Sequence, residues 1–276
     1  MHSISSAAAW FGALARFRPR LSLIRSLIAR DITSRYRGSV LGVLWSLVTP
    51  LCMLAIYSFV FGSILGTRWN GGNDQAGMAG FAIILFVGLI VFQLFSEVVT
   101  RAPTLVLSNV NYVKKVVFPL EILPVVAVGS ALFHLSVSLV ALFAFMLWIM
   151  GHIPPTAMLL PIVLAPFVLV ILGLGWFFAS LGVYLRDIAQ LLGTAVTALM
   201  FLSPTFFPSS ALPEWIRPWL MLNPLTLPIE QARAVLIWGN LPDLAALGLY
   251  GIVGLVIAAA GFFWFQATRK GFADVL

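Results

Sequence analysis

The chain has 276 residues, of which 61% are hydrophobic and only 9% are charged, with a mean hydropathy of +1.06. A soluble domain of this length needs far more charge on its surface, so the composition excludes a soluble domain on one anchor and implies a polytopic helical bundle. The net charge of +7 and the isoelectric point near 10.2 do not indicate nucleic acid, because the basic residues collect at the ends of apolar runs instead of along one polar face.

In chain order, the first twenty residues lack the order of a signal peptide, since Arg16, Arg18 and Arg20 follow the small apolar patch rather than precede it. Leu21, Ile24, Leu27 and Ile28 then fall at helical spacing, with Ser22, Arg25, Ser26 and Arg30 on the other face. Residues 1 to 36 therefore read as a cytoplasmic segment with a short amphipathic helix, lying along the membrane surface or packed on a partner subunit. Arg35 and Arg37 lead straight into more than twenty residues without a charge. Apolar length predicts six spans near 39 to 63, 79 to 100, 121 to 150, 157 to 184, 188 to 208 and 243 to 266. With the N-terminus inside, thirteen of the sixteen Lys and Arg residues lie on the cytoplasmic side, and only Arg68, Arg217 and Arg233 lie outside.

The loop at 67 to 78 is polar and glycine-rich, as a short outside connection should be. The cytoplasmic loop at 101 to 120 predicts a short helix from Asn109 to Phe118, with Lys114 and Lys115 exposed. From 204 to 242, six prolines interrupt an apolar stretch that is too broken to span and too apolar for water, which predicts re-entrant or interfacial half-helices at the outer leaflet. Residues 267 to 276 form a cytoplasmic tail too short to fold alone. No internal repeat is visible, and 1 to 276 reads as one transmembrane domain of all-α class.

The single cysteine, Cys52, lies in the first apolar run, so no disulfide framework or Cys-based metal site is available, and packing is its expected role. His134 is the only histidine expected within a span and has no cluster around it, which points to a buried hydrogen bond in place of metal ligation. Glu97 and Glu121 fall near the inner ends of two spans and should be ion-paired, with Arg101, Lys114 and Lys115 within reach. Glu230 and Arg233 stand three apart, which places a local salt bridge on one helical face. The adjacent Arg186 and Asp187 sit at a tight inside corner as a helix-end charge pair. No catalytic cluster is found. Each of the three lysines lacks the glycine-rich loop that precedes the lysine of a phosphate-binding site, so the chain holds no ATPase of its own.

Arg35-Tyr36-Arg37, the turn Leu41-Gly42-Val43-Leu44-Trp45, Pro50 and Tyr57-Ser58-Phe59-Val60-Phe61-Gly62 together resemble the start of the membrane subunit of ABC-2 type transporters, above all the exporters of O-antigen, capsule and teichoic acid. The resemblance extends to Lys114-Lys115, Phe118-Pro119 and Ile122-Leu123-Pro124, and to Asn223-Pro224 with Glu230 and Arg233. It implies a permease of the bacterial cytoplasmic (inner) membrane with both termini inside, a second copy of the chain around a shared pathway, and a separate ABC ATPase in two copies. ATP and magnesium would belong to that ATPase, with no cofactor in this chain. It further implies export of polyprenyl-linked polysaccharide.

On this resemblance, Asn109, Tyr112, Lys114, Lys115 and Phe118 couple the ATPase to the spans, although positive-inside charge also accounts for the two lysines. Arg186 and Asp187 are further candidates for coupling. Arg35 and Arg37 could attract a lipid pyrophosphate, where topogenic charge is the competing account. Sugar rings stack on aromatic planes, so Trp45, Tyr57, Phe61, Phe86, Phe92, Phe95, Trp176 and Phe177 are candidate walls of a glycan pathway, with lipid, neighbouring helices and the interfacial belt as the competing places for each. Asn223, Glu230 and Arg233 would close its outer end. An ABC-2 exporter of small lipophilic molecules and a membrane enzyme acting on lipid-linked sugars are the rival functions.

Overall fold

The computed structural model describes residues 21–57, 59–60, 77–115, 118–207, 213, 215 and 217–276, and among these there is no strand. The helices are α1 (Leu21–Arg35), α2 (Trp45–Tyr57), α3 (Gly77–Leu105), α4 (Val110–Lys115), α5 (Ile122–Met150), α6 (Leu160–Tyr184), α7 (Ile188–Leu202), α8 (Arg217–Met221), α9 (Thr226–Leu236), α10 (Leu244–Thr268) and α11 (Phe272–Val275). Helices are the expected outcome for such apolar runs, since a backbone in lipid must satisfy its own polar groups.

Among the described residues, four apolar helical stretches are long enough to cross a membrane, namely Gly80–Leu105, Ile122–Met150, Pro155–Tyr184 and Leu244–Val275. In the first and fifth expected spans the described residues hold the shorter apolar helices Gly42–Tyr57 and Ile188–Leu202. The chain is thus a multi-pass, all-helical membrane protein.

α3 is the central helix. Its residues Val87, Val91, Leu94 and Val98 are buried against Leu135 and Leu142 of α5, Phe167 and Ile171 of α6, and Ile229 and Ala232 of α9. α10 is different, because only one face is covered while Leu249, Ile252, Leu255 and Val256 stay exposed. A helix that is apolar all round and covered on one side presents the rest to lipid.

The covered side of α10 meets α6 along a glycine seam. A Cβ on Gly261 would lie 2.1 Å from the Gly173 carbonyl oxygen, and one on Gly173 would lie 2.5 Å from that of Ile257. Small residues here let two backbones touch, the usual means of close helix packing in lipid. Gly182 of α6 approaches Pro103 of α3 in the same way, at 2.2 Å from its carbonyl oxygen. Gly261→Val should therefore destabilise the protein by at least about 3 kcal/mol, beyond ordinary overpacking because backbone cannot yield as a side chain does. Gly193→Val, with nothing within 4 Å of its Cβ, should change little. Thermal unfolding of the two variants in detergent checks the contrast.

Two local expectations change. The apolar face of α1 is not left for lipid or a partner: Ile24, Leu27 and Ile32 are buried, and Ile28 fits over Gly129 of α5. The reason is that α5 offers a small-residue notch at the height where α1 lies. Cys52 is exposed on α2 and does not serve core packing.

The expected inside and outside ends carry ordinary caps. Gly151 ends α5 at φ 72°, a left-handed turn that suits glycine, with its N–H donated to Leu147. Asp243 caps α10 by accepting from the N–H groups of Ala245 and Ala246 at 3.0 Å. In the 204 to 242 region, α8 and α9 are short helices separated by Asn223-Pro224, as proline spacing predicts.

Candidate functional site

A cavity of about 340 Å³ lies between α2 and the faces of α3 and α5. Trp45, Thr49, Met53 and Tyr57 recur at four-residue spacing, so one stripe of α2 lines it. Phe86, Phe92, Gln93 and Glu97 line it from α3, His134 and Ser138 from α5, and Arg35 and Tyr36 close its inner end. From Glu97 to Phe86 the groove runs about 16 Å along α3. It is charged at one end and aromatic along its length.

The charged end is a compact network. Arg35 Nη2 donates to Glu97 Oε1 at 2.5 Å, and His134 Nδ1 lies 3.0 Å from both Glu97 oxygens. A carboxylate offers only acceptors, so Nδ1 carries a proton and donates it to Glu97. The 3.4 Å approach of Arg35 Nη1 to the same nitrogen then joins two donors and is not a hydrogen bond. Tyr36 Oη meets the other ring nitrogen at 3.2 Å. Arg101 lies 4.0 Å from Glu97, one turn along α3, but it gives its fork to Asp31 of α1 at 2.8 and 3.1 Å. Burial acts to raise the Asp31 pKa, yet the Arg101 hydrogen bonds and charge outweigh it and hold the carboxyl below its ordinary value. Together these contacts bind α1 to α3 and α5.

Of the expected pathway residues, Trp45, Tyr57, Phe86 and Phe92 are brought together in this groove, with Arg35 at its end. Phe61 lies outside the described residues. Arg37 is exposed and apart from the network. The other three candidates lie away from the groove: Phe95 stacks on Phe167, Trp176 donates to the Glu121 carbonyl at 2.9 Å, and Phe177 packs on Phe178 and Trp264. His134 makes the hydrogen bonds expected of it, and no metal-holding group of His, Cys, Asp and Glu exists among the described residues. Sequence reasoning missed Tyr36, Thr49, Gln93 and Ser138 as groove residues. Only Thr49 had a signal, its place midway on the helical stripe from Trp45 to Tyr57.

The expected coupling loop holds α4 and a preceding turn at Leu107–Asn109. Tyr112 stacks on Phe118 with ring centroids 4.4 Å apart and accepts a hydrogen bond from Arg30 Nη1 at 2.8 Å, which joins α4 to α1. Asn109 donates to the Leu105 carbonyl and so caps the end of α3 from within. The side chains of Lys114 and Lys115 lie outside the described residues. Glu121 pairs with Arg269 at 3.0 Å, a partner none of the nearby lysines anticipated. Arg186 and Asp187 sit exposed at the turn into α7.

At the outer end, Arg233 is almost wholly buried at 1% exposure. Its guanidinium donates to the carbonyls of Ile84 at 3.0 Å, Pro204 at 2.5 Å and Thr205 at 2.8 Å. Arg233 thus clasps α3 and the 204–205 turn, a long-range role beyond the local Glu230 pair that spacing predicted. Asn223 donates to Ser203 Oγ at 2.9 Å and accepts from the Leu225 N–H at 2.9 Å, so it fastens the same turn to the start of α9.

Residues 22–237, from α1 through α9, match the ABC-2 type transporter family. The chain belongs to that family. This ABC-2 chain is similar to three proteins over nearly its full length. It is 25% identical over 249 residues to the O-antigen export system permease protein RfbA of Klebsiella pneumoniae, covering 90% of this chain and 92% of that protein. It is 28% identical over 258 residues to the RfbA protein of Myxococcus xanthus, covering 91% and 94%. It is 26% identical over 263 residues to the polysialic acid transport protein KpsM of Escherichia coli, covering 94% and 98%. The groove, α4 and the Arg233 clasp all fall inside the ABC-2 match.

Proposed function

We propose that this ABC-2 chain is the membrane subunit of an ATP-driven exporter that moves lipid-linked polysaccharide out across the bacterial cytoplasmic membrane. The observation that carries the reading is the near full-length similarity to permeases named for O-antigen and polysialic acid, two chemically different polysaccharides. In this reading α2 and α7 also cross, giving six spans with both termini inside, and the outer helices α8 and α9 are re-entrant half-helices covered by protein.

The groove gives the reading a mechanism. Aromatic walls accept the C–H faces of sugar rings, and the polar Thr49, Gln93 and Ser138 can exchange hydrogen bonds with hydroxyls. Its volume falls at the low end of the roughly 300–1,000 Å³ typical of small-ligand pockets, so one chain has room for a ring or two and not for a polymer. A second copy facing it would complete the pathway, and two copies of a separate ATPase carrying ATP and magnesium would drive it. Arg35, which keeps part of its side chain accessible, and the exposed Arg37 attract the carrier's pyrophosphate at the inner end. The segment from Asn109 to Phe118 with Lys114 and Lys115, and the corner at Arg186 and Asp187, receive the ATPase. Asn223, Glu230 and Arg233 hold the outer end closed.

Depleting the chain in its host tests the function. Lipid-linked polysaccharide should accumulate at the inner face of the cytoplasmic membrane while surface polysaccharide falls. Unchanged polysaccharide in both places would sink the assignment and bring small-molecule export forward.

A further inference from the structure

The residues after α10 form a built element in place of a loose tail. Arg269–Gly271 makes a turn that delivers α11, and Phe272 in it is fully buried. Its ring meets Phe265 with centroids 5.5 Å apart and Tyr184, the last residue of α6, at 5.9 Å. Tyr184 Oη in turn donates to the Thr268 carbonyl at 2.8 Å, and Thr268 shares a 2.6 Å hydrogen bond with Ser180. Gly271 must be small because a Cβ there would stand 2.7 Å from Tyr184 Oη. The end of α10 is therefore locked to the end of α6.

The same element reaches the other way. α11 packs on α4, and Phe272 shares one buried cluster with Phe118, Leu120 and Ile122, the path by which the chain leaves α4 and enters α5. Arg269 fixes this path again through its 3.0 Å pair with Glu121. The α4–α5 connection, the end of α6 and the end of α10, distant from one another in sequence, thus meet around one phenylalanine.

We propose that the segment Arg269 to Val275 is the transmission element that carries movement of α4 to the paired helices α6 and α10, with Phe272 and Arg269 as its positioning residues. The proposal rests on the reading that α4 receives the ATPase. A rigid aromatic ring packed between α4 and two spans passes a displacement on, whereas an alanine leaves a void into which α4 can move without moving anything else. The Arg269 pair acts as a second, polar link in parallel.

The test uses the full chain in complex with its ATPase, reconstituted in phospholipid vesicles, with Cys52→Ser so that introduced cysteines alone carry spin labels. One label pair joins Asn111 in α4 to Gln190 in α7, and another joins Leu241 before α10 to Phe201 in α7. Distances are measured without nucleotide and with a non-hydrolysable ATP analogue. In the parent protein both pairs should shift. In Phe272→Ala and in Arg269→Gln the inner pair should still shift while the outer shift is lost or reduced, and Phe272→Leu should restore it. Arg269→Gln removes only a partly exposed ion pair, so it reports even where Phe272→Ala fails to accumulate. An outer shift that survives unchanged in these variants overturns the proposal and leaves the coupling role of α4 standing. An inner pair that ignores nucleotide in the parent protein refutes the coupling role itself, and the transmission role with it.

Discussion

Replacing Arg233 with methionine should lower stability by on the order of 3 to 5 kcal/mol, read as thermal unfolding in detergent, because it removes three charge-assisted hydrogen bonds and leaves buried carbonyls without donors. The carbonyls of Pro204 and Thr205 are held by two separate nitrogens of the same guanidinium, so one substitution removes both donors at once. Arg233→Lys should recover less than half of it. An ammonium is a point donor and cannot reach Ile84, Pro204 and Thr205 with the spread of a guanidinium. Equal stability of the lysine variant and the parent would mean that charge alone, and not the fork, holds this end.

Glu97 carries the second large effect. Glu97→Leu removes the acceptor of both Arg35 and His134 and should cost about 2 to 4 kcal/mol, somewhat below a fully buried pair because the Arg35 side chain is 30% exposed. Glu97→Gln should cost less, since its amide oxygen still accepts. A double-mutant cycle separates the pair from the rest: with Arg35→Gln and Glu97→Gln combined, the loss should fall short of the sum of the two single losses by about 1 kcal/mol or more. Strict additivity would show that Arg35 and Glu97 are neighbours without a coupling energy.

Much of this site was legible in the sequence where the signal was local. Ring-stacking chemistry singled out Trp45, Tyr57, Phe86 and Phe92 among the aromatics, and these four line the groove. What failed was partner choice across elements. Glu97 does lie 4.0 Å from Arg101 one turn away, but its shorter contact is with Arg35, and Arg101 makes its shorter contacts with Asp31. Glu121 pairs with Arg269, which lies 148 residues further along the chain and which local spacing gives no means of finding. The Glu230 charge does act on Arg233, but α9 is buried around Arg233, and its guanidinium has more donors to satisfy than one carboxylate can accept, so spacing alone did not reveal the carbonyls it also binds. The apolar face of α1 was correctly read, while its occupant was not, because Gly129 becomes a notch only when α5 is set beside it. Span length was the weakest reading. Apolar runs count residues without charge, and Pro204 and its neighbours end α7 as a helix well before polarity ends the run.

The glycine seam has a mechanical consequence. Side chains that interdigitate can swap rotamers and let two helices creep past each other, but Gly173 and Gly261 set backbone against backbone, with nothing between them to deform. α6 and α10 therefore have a low shear compliance and behave as one beam. At the far end of that beam, Thr156 donates to the Val235 carbonyl at 2.6 Å, next to the helix turn that carries Arg233. A torque applied where Tyr184 and Phe272 meet is thus delivered almost undiminished to the outer clasp, roughly the thickness of the bilayer away.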